Sequence, residues 1–202
     1  MADRQTHWEG VYGTKEITEV SWYQDEPRLS MQLIAAALDG TGGAVIDVGG
    51  GASALATQLW QAGHQDVTVL DLSGNALATA RRGLGPDASA VHWVVADVLD
   101  WEPARTYRVW HDRAVFHFLT EEADRERYRA TLRRSLGPGG YAVVGTFADD
   151  GPTHCSGLPT ARYTPAGLAA QFPWLRVCQA HREEHRTPGG TVQPFTWLLL
   201  AG

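Results

Sequence analysis

The chain has 202 residues, 44% of them hydrophobic, and a formal charge of −6. That is enough for one domain with a sizeable core and too apolar for a disordered chain. No apolar run approaches the ~20 residues of a membrane span, and the dispersed acidic charge lacks the basic stripe that nucleic acid usually requires.

The first five residues, Met1-Ala2-Asp3-Arg4-Gln5, carry no apolar signal-peptide core. Two cysteines, Cys155 and Cys178, do not make a disulfide scaffold. The expectation is a cytoplasmic protein without nucleic-acid or membrane partners, its oligomeric state left open.

Residues 1–26 are rich in aromatics and show no clear period. Pro27 to Leu38 reads as a helix, opened by proline and closed by Asp39-Gly40. The run 44–48 reads as a first strand, 53–62 as a helix stopped by Gly63, and 67–71 as a second strand. Ser73 is placed to cap a helix reaching Arg82. Residues 91–96 read as strand three, ending at Asp97, and 107–111 as strand four, ending at Asp112. Thr120 opens a helix to Leu136 with a capping-box-like start. Gly137-Pro138-Gly139-Gly140 reads as a turn before a fifth strand, 141–147. Strands alternating with helices imply a parallel sheet covered on both faces. The tail departs from that rhythm: a short helix from Thr164-Pro165 to Gln171, then strands over 175–184 and 192–200 around Pro188-Gly189-Gly190. The expected fold is α/β: a doubly wound, Rossmann-like, seven-stranded and mostly parallel sheet closed by a C-terminal antiparallel hairpin. It forms one domain over 1–202, divided into an N-terminal aromatic lid (1–26), a core (27–147), and a substrate loop with the hairpin (148–202).

The most informative segment is Ala44-Val45-Ile46-Asp47-Val48-Gly49-Gly50-Gly51-Ala52-Ser53. A buried strand ends in a carboxylate and a glycine turn, and an amphipathic helix follows. Such a turn lets a ligand approach bare backbone where amide N–H groups are free. Twenty residues on, Asp71 closes the second strand, placed to accept hydrogen bonds from ribose hydroxyls. Two cofactor classes fit. Gly49 to Ala54 satisfies the dinucleotide pattern G-x-G-x-x-A. The same residues approach the D-x-G-x-G-x-G of S-adenosylmethionine (SAM) sites, with Ser53 at the last glycine. Asp47 favours SAM, because a carboxylate is awkward beside a pyrophosphate and helpful beside an ammonium and a sulfonium.

The strand ends Val45-Ile46-Asp47-Val48-Gly49-Gly50-Gly51, Val69-Leu70-Asp71 and Val95-Ala96-Asp97-Val98, with Leu136-Gly137-Pro138-Gly139-Gly140, resemble those of class I SAM-dependent methyltransferases over nearly the whole chain. Trp8-Glu9-Gly10-Val11-Tyr12 and Ser21-Trp22-Tyr23 are similar to segments of small bacterial thiopurine- and tellurite-type enzymes. The resemblance implies that Gly49 and Gly51 admit the methionine portion of SAM and that Asp47 supports its amino group. It implies further that Asp71 holds the ribose, Leu72 packs on the adenine, Asp97 accepts from the adenine amine, and Val98 offers a backbone contact. His111 or Asp112, at the end of strand four, would then lie near the reacting centre.

Methyl transfer from a sulfonium is an in-line displacement in which the protein mainly positions the acceptor and excludes water. Trp8, Tyr12, Trp22 and Tyr23 are candidates for a lid over the cofactor or for plugs at the core edge. Tyr12 and Tyr23 also carry hydroxyls able to bond the methionine carboxylate. Lys15, the single lysine, reads as a ligand for that carboxylate, for an anionic acceptor, or as a surface residue. Asp112 could orient a substrate amine or pair with Arg113, and His117 could act as general base or as packing. His154 and Cys155 lie in a Gly/Pro-rich loop expected to overhang the strand ends, Cys155 as a soft ligand or an inert thiol. His181 and His185 are placed on a strand, where residues four apart lie ~13 Å from each other, so no zinc site is expected.

The favoured reading is a SAM-dependent methyltransferase acting on a small molecule. The alternatives are a protein methyltransferase acting on lysine or another side chain, a nicotinamide oxidoreductase, and a non-catalytic SAM-binding protein. An Asn-Pro-Pro-Tyr-like motif is absent after strand four, where His111-Asp112-Arg113-Ala114 stands; that lowers planar-amide acceptors.

Overall fold

The computed structural model describes residues 2–14 and 16–202. The strands are β1 (Val45–Val48), β2 (Val67–Asp71), β3 (His92–Val95), β4 (Tyr107–Arg113), β5 (Leu136–Phe147), β6 (His154–Cys155), β7 (Leu158–Pro159), β8 (Arg176–Arg186) and β9 (Val192–Ala201). The helices are α1 (Ala2–Thr14), α2 (Arg28–Leu38), α3 (Leu55–Gln61), α4 (Gly74–Leu84), α5 (Glu122–Ser135) and α6 (Pro165–Ala169).

Seven strands form one sheet in the order β3-β2-β1-β4-β5-β9-β8. The first five run parallel, and β9 and β8 join antiparallel at one edge. The chain winds outward from β1 to β3, then returns across β1 to β4. The crevice between the C-terminal ends of β1 and β4 is therefore the switch point, where ligands of such sheets bind.

Strand parity sorts the core into two layers. Val45, Val69, Val109 and Val143 face α2, α3 and α4, meeting Leu33, Ile34, Leu59 and Leu77. Ile46, Leu70, Trp110 and Val144 face α5 and α6, meeting Tyr128, Leu132 and Leu168. The same parity assigns Asp47, His111 and Arg113 to the α2 side and Asp112 to the α5 side. That assignment decides the site.

The doubly wound sheet and its terminal hairpin are as the sequence indicates. Three local features differ. Residues 2–14 form a helix despite lacking a periodic apolar stripe. Gly137–Gly140 does not separate a helix from a strand: β5 begins at Leu136, and the glycine-rich stretch bulges from it while the register against β4 shifts between Tyr107 and Val109. The loop after β5 is not featureless, since β6 and β7 pair in it as a small hairpin.

Candidate functional site

The site is built where β1 stops. Gly49 and Gly51 take φ of +65° and +49°, values that side chains resist. Space forbids a side chain as well. A Cβ on Gly49 would lie 2.0 Å from Val115 Cγ2, and one on Gly51 2.7 Å from the Tyr12 hydroxyl and 3.2 Å from Asp71 Oδ2. The glycine loop thus runs tight between the β4–α5 connection and helix α1.

Asp47, at the end of β1, is buried. It stands in register with His111 of β4. His111 Nδ1 lies 2.7 Å from Asp47 Oδ1, and its Nε2 lies 2.9 Å from the Ser30 hydroxyl on α2. Asp47 Oδ2 is buried with no hydrogen-bond partner among the described residues. One carboxylate oxygen is therefore fixed by imidazole and the other is uncommitted, beside the glycine loop.

Asp71 closes β2 and accepts from the Ser73 N–H at 2.8 Å. Burial pushes its pKa up to about 7; the Ser73 and Gly51 amides oppose that shift, and the nearby Asp47 and Glu9 charges add to it. Asp97, just past β3, accepts from the Leu99 N–H at 3.0 Å, which makes it a turn-former that also borders the cavity.

Two adjoining chambers open along these strand ends. The larger, about 880 Å³ and partly open to solvent, is walled by Asp71, Leu72, Asp97 and Val98 at one end. Trp8, Phe118, Leu119 and Cys155 wall the other. The smaller, about 520 Å³, lies over Asp47, Ser30 and His111 and is closed by Tyr23 and residues of the glycine loop. Tyr12, Trp22, Gly49 and Arg113 border both.

The roof is aromatic and comes from the N-terminal segment. Trp8 packs edge-on against Trp22 (5.7 Å between centroids) and Phe118 (5.2 Å), and Tyr12 edge-on against Trp22 (6.0 Å). Burial raises the Tyr12 hydroxyl above its ordinary range, with the Asp71 carboxylate adding to the effect. Helix α1 is tied down by Glu9, which accepts from the Ser73 hydroxyl (3.0 Å) and the amides of Gly74 (2.7 Å) and Asn75 (3.2 Å). An acidic group thus caps the N-terminus of α4, where free amides and the helix dipole favour it.

The structure brings together Trp8, Tyr12, Tyr23, Asp47, Gly49, Gly51, Asp71, Leu72, Asp97, Val98, His111, Arg113 and Cys155 at these chambers or the loop between them. It does not bring in three others, Asp112, His117 and His154. Asp112 points to the α5 side, where it accepts from the amides of Val115 (2.8 Å) and Phe116 (3.1 Å) and from the Tyr128 hydroxyl (2.5 Å). It pins the turn after β4. Burial lifts its pKa to about 6, and it borders neither chamber.

His117 also borders neither chamber. It is buried between Phe118 and Phe147, at 4.5 and 4.4 Å between centroids. Burial, helped by Arg113, drives its pKa down to about 3, so it is a neutral core residue at working pH. His154 is exposed and lies 3.1 Å from the Thr153 hydroxyl. Lys15 lies outside the described residues. Tyr23 spends its hydroxyl on Asp25 at 3.3 Å.

Sequence reading passed over Ser30, Phe118 and Glu9. Ser30 was marked only by its place in the first turn of α2, and Glu9 only by its place inside the aromatic segment.

Residues 45–140 match the family model described as a methyltransferase domain. The matched stretch is 96 of the 202 residues, from β1 into β5. The uncommitted Asp47 oxygen, the cramped glycine loop and the strand-end Asp71 suit SAM. No protein of curated function matches the sequence. Among solved structures, the chain is similar to a SAM-dependent methyltransferase from Anabaena variabilis (17% identity, TM-score 0.77, covering 98% of this chain and 94% of that one). It is also similar to a protein studied for the conversion of a disulfide bond into a thioacetal group during echinomycin biosynthesis (24%, 0.74, 98% and 92%). TehB from Haemophilus influenzae is a third (18%, 0.68, 85% and 61%). These likenesses establish the fold.

Proposed function

We propose that this protein is a class I SAM-dependent methyltransferase that moves the methyl group of SAM to a small-molecule acceptor. The observation that carries this reading is the pair of adjoining chambers under one aromatic roof. The strand-end carboxylates border one part of the larger chamber, and Trp8, Trp22, Phe118 and Leu119 wall another, which suits a cofactor beside a small apolar acceptor.

When bound, SAM supplies a methyl group already activated on a sulfonium. The chain's own residues do the rest. Asp71 accepts from the ribose hydroxyls, and Leu72 and Val98 flank the adenine. Asp97 receives the adenine amine. Asp47 receives the amino group on Oδ2, while His111 and Ser30 hold its other oxygen in place. The faces of Tyr12 and Trp22 favour positive charge between the chambers and, with Trp8, keep water out.

The described ionisable residues bordering the larger chamber are Arg4, Tyr12, Asp71, Asp97, Arg113 and Cys155. Burial raises the Cys155 thiol above its ordinary range, so it is a neutral group. No histidine or glutamate reaches that chamber among the described residues. The reading therefore assigns catalysis to positioning and desolvation, without a general base at His117.

The test is calorimetric titration with SAM, S-adenosylhomocysteine and NAD, then transfer of label from methyl-labelled SAM to small molecules and to cell-extract protein. Binding of the SAM pair without NAD, and label in the small-molecule fraction, is the expected result. Label confined to protein would refute the small-molecule assignment.

A further inference from the structure

Arg113 is half-buried, and its guanidinium makes no ion pair among the described residues. Its Nη1 donates to the Trp22 carbonyl at 2.9 Å, and its guanidinium lies 4.9 Å from the Phe195 ring centroid. Its Nε and Nη2 are buried with no hydrogen-bond partner among the described residues. These two nitrogens form the side-on edge of the guanidinium, the fork that grips a carboxylate through two parallel hydrogen bonds. The nearest acidic influence, Glu183, has both oxygens taken, by Gln24 Nε2 at 2.8 Å and Trp197 Nε1 at 2.9 Å. Burying an uncompensated charge is costly, and arginine does not shed its proton to escape that cost. An arrangement of this kind makes sense when the missing anion arrives with a ligand.

The position of the fork says which ligand. Arg113 stands on the same face of β4 as His111 but two residues further along, ~6.6 Å beyond the register partner of Asp47. It borders both chambers, and in the larger it stands with Ala114, Val115, Phe118 and Cys155. The walls beside it, Trp8, Trp22 and Phe118, are flat and apolar.

We propose that the Nε/Nη2 fork of Arg113 receives a carboxylate, or a comparable oxyanion, carried by an acceptor whose body is planar and apolar. The proposal rests on the methyltransferase reading above. It deepens that reading by naming the acceptor class: an aromatic acid, held by its charged group so that a second nucleophilic atom meets the methyl donor.

The test uses the complex with S-adenosylhomocysteine and two matched probe pairs, indole-3-acetate with indole-3-acetamide and benzoate with benzamide. Each pair keeps its shape and changes only charge. Each acid should bind the complex at least ~10-fold more tightly than its amide, the advantage of a charge-assisted bidentate contact. Arg113→Gln should erase that preference, and Arg113→Lys should retain part of it, with S-adenosylhomocysteine affinity within about threefold of the parent in both. Thermal melts of both variants confirm folding, and the lysine variant serves if the glutamine variant fails to fold. Equal binding of acids and amides, or binding of neither, overturns the proposal. So does a tenfold or larger loss of S-adenosylhomocysteine affinity in folded Arg113→Gln, which would assign the fork to the cofactor's own carboxylate. Failure of the parent protein to bind S-adenosylhomocysteine at all is a separate result, and it removes the methyltransferase reading itself.

Discussion

Cofactor affinity should depend on pH through Asp71. The folded, ligand-free protein holds this carboxyl with a pKa of about 7 because it is buried, against an ordinary value of 3.8. A ribose diol donates two hydrogen bonds, so it needs the ionised form. The observed Kd is then the intrinsic Kd multiplied by one plus the ratio of proton concentration to the acid constant. With a pKa of about 7, that factor is about 11 at pH 6 and about 1.1 at pH 8. The affinity for S-adenosylhomocysteine should therefore rise roughly tenfold from pH 6 to pH 8. The effect on stability runs the other way. A carboxyl whose folded pKa is raised contributes stability that is full below 3.8 and fades as pH climbs through about 7. The ligand-free protein should melt lower as pH rises over that window, while the complex gains. Calorimetric titrations at half-unit intervals measure the first effect. Asp71→Asn is the control, since it removes the titrating group and cancels any ionisation of the ligand itself. A pH slope that persists in Asp71→Asn, or a flat profile in the parent, would refute the assignment of Asp71 to the ribose.

Three further outcomes are expected. Asp112→Ala strands two buried amides and a tyrosine hydroxyl, so it should cost about 3 kcal/mol and lower Tm by roughly 6–12 °C, without changing cofactor affinity in the folded protein; a normal melting curve with lost binding would place Asp112 at the ligand after all. His117→Phe removes the unpartnered Nε2 together with the Nδ1 that accepts from the Phe147 N–H at 3.4 Å; it should lower stability slightly and leave S-adenosylhomocysteine affinity intact, whereas a tenfold loss would return His117 to the site. Glu9→Ala frees the N-terminus of α4 and loosens α1, at about 1 kcal/mol; stopped-flow quenching of Trp8 and Trp22 should show S-adenosylhomocysteine leaving about fivefold faster, and an unchanged rate would mean that α1 does not govern exit.

Strands β1 to β4 were legible because each is a short, mainly apolar run beside a chemically marked residue: Asp47, Asp71, Asp97 or Asp112. Burial on both faces leaves β1 wholly apolar apart from its functional carboxylate, and that contrast is visible without coordinates. Helix α1 was not legible, because its aromatic residues face a cavity and not a core, so they leave no periodic apolar stripe. The confusion over strand four has a different origin. His111, Asp112 and Arg113 are adjacent in sequence, yet alternation sends the outer two toward Asp47 and the middle one toward Tyr128. Parity with the core residues Val109 and Trp110 was a readable signal for that split. The place of His117 was not readable, since Ala114 takes a φ of +73° and the turn it makes has no marker in the sequence.

The roof over the two chambers has a kinetic consequence. Tyr12 and Trp22 border both, and Glu9 fastens the helix that carries Tyr12. Traffic into one chamber therefore disturbs the ceiling of the other. Entry and departure of the two ligands cannot be independent events. Filling one chamber is therefore expected to change how readily the other fills and empties.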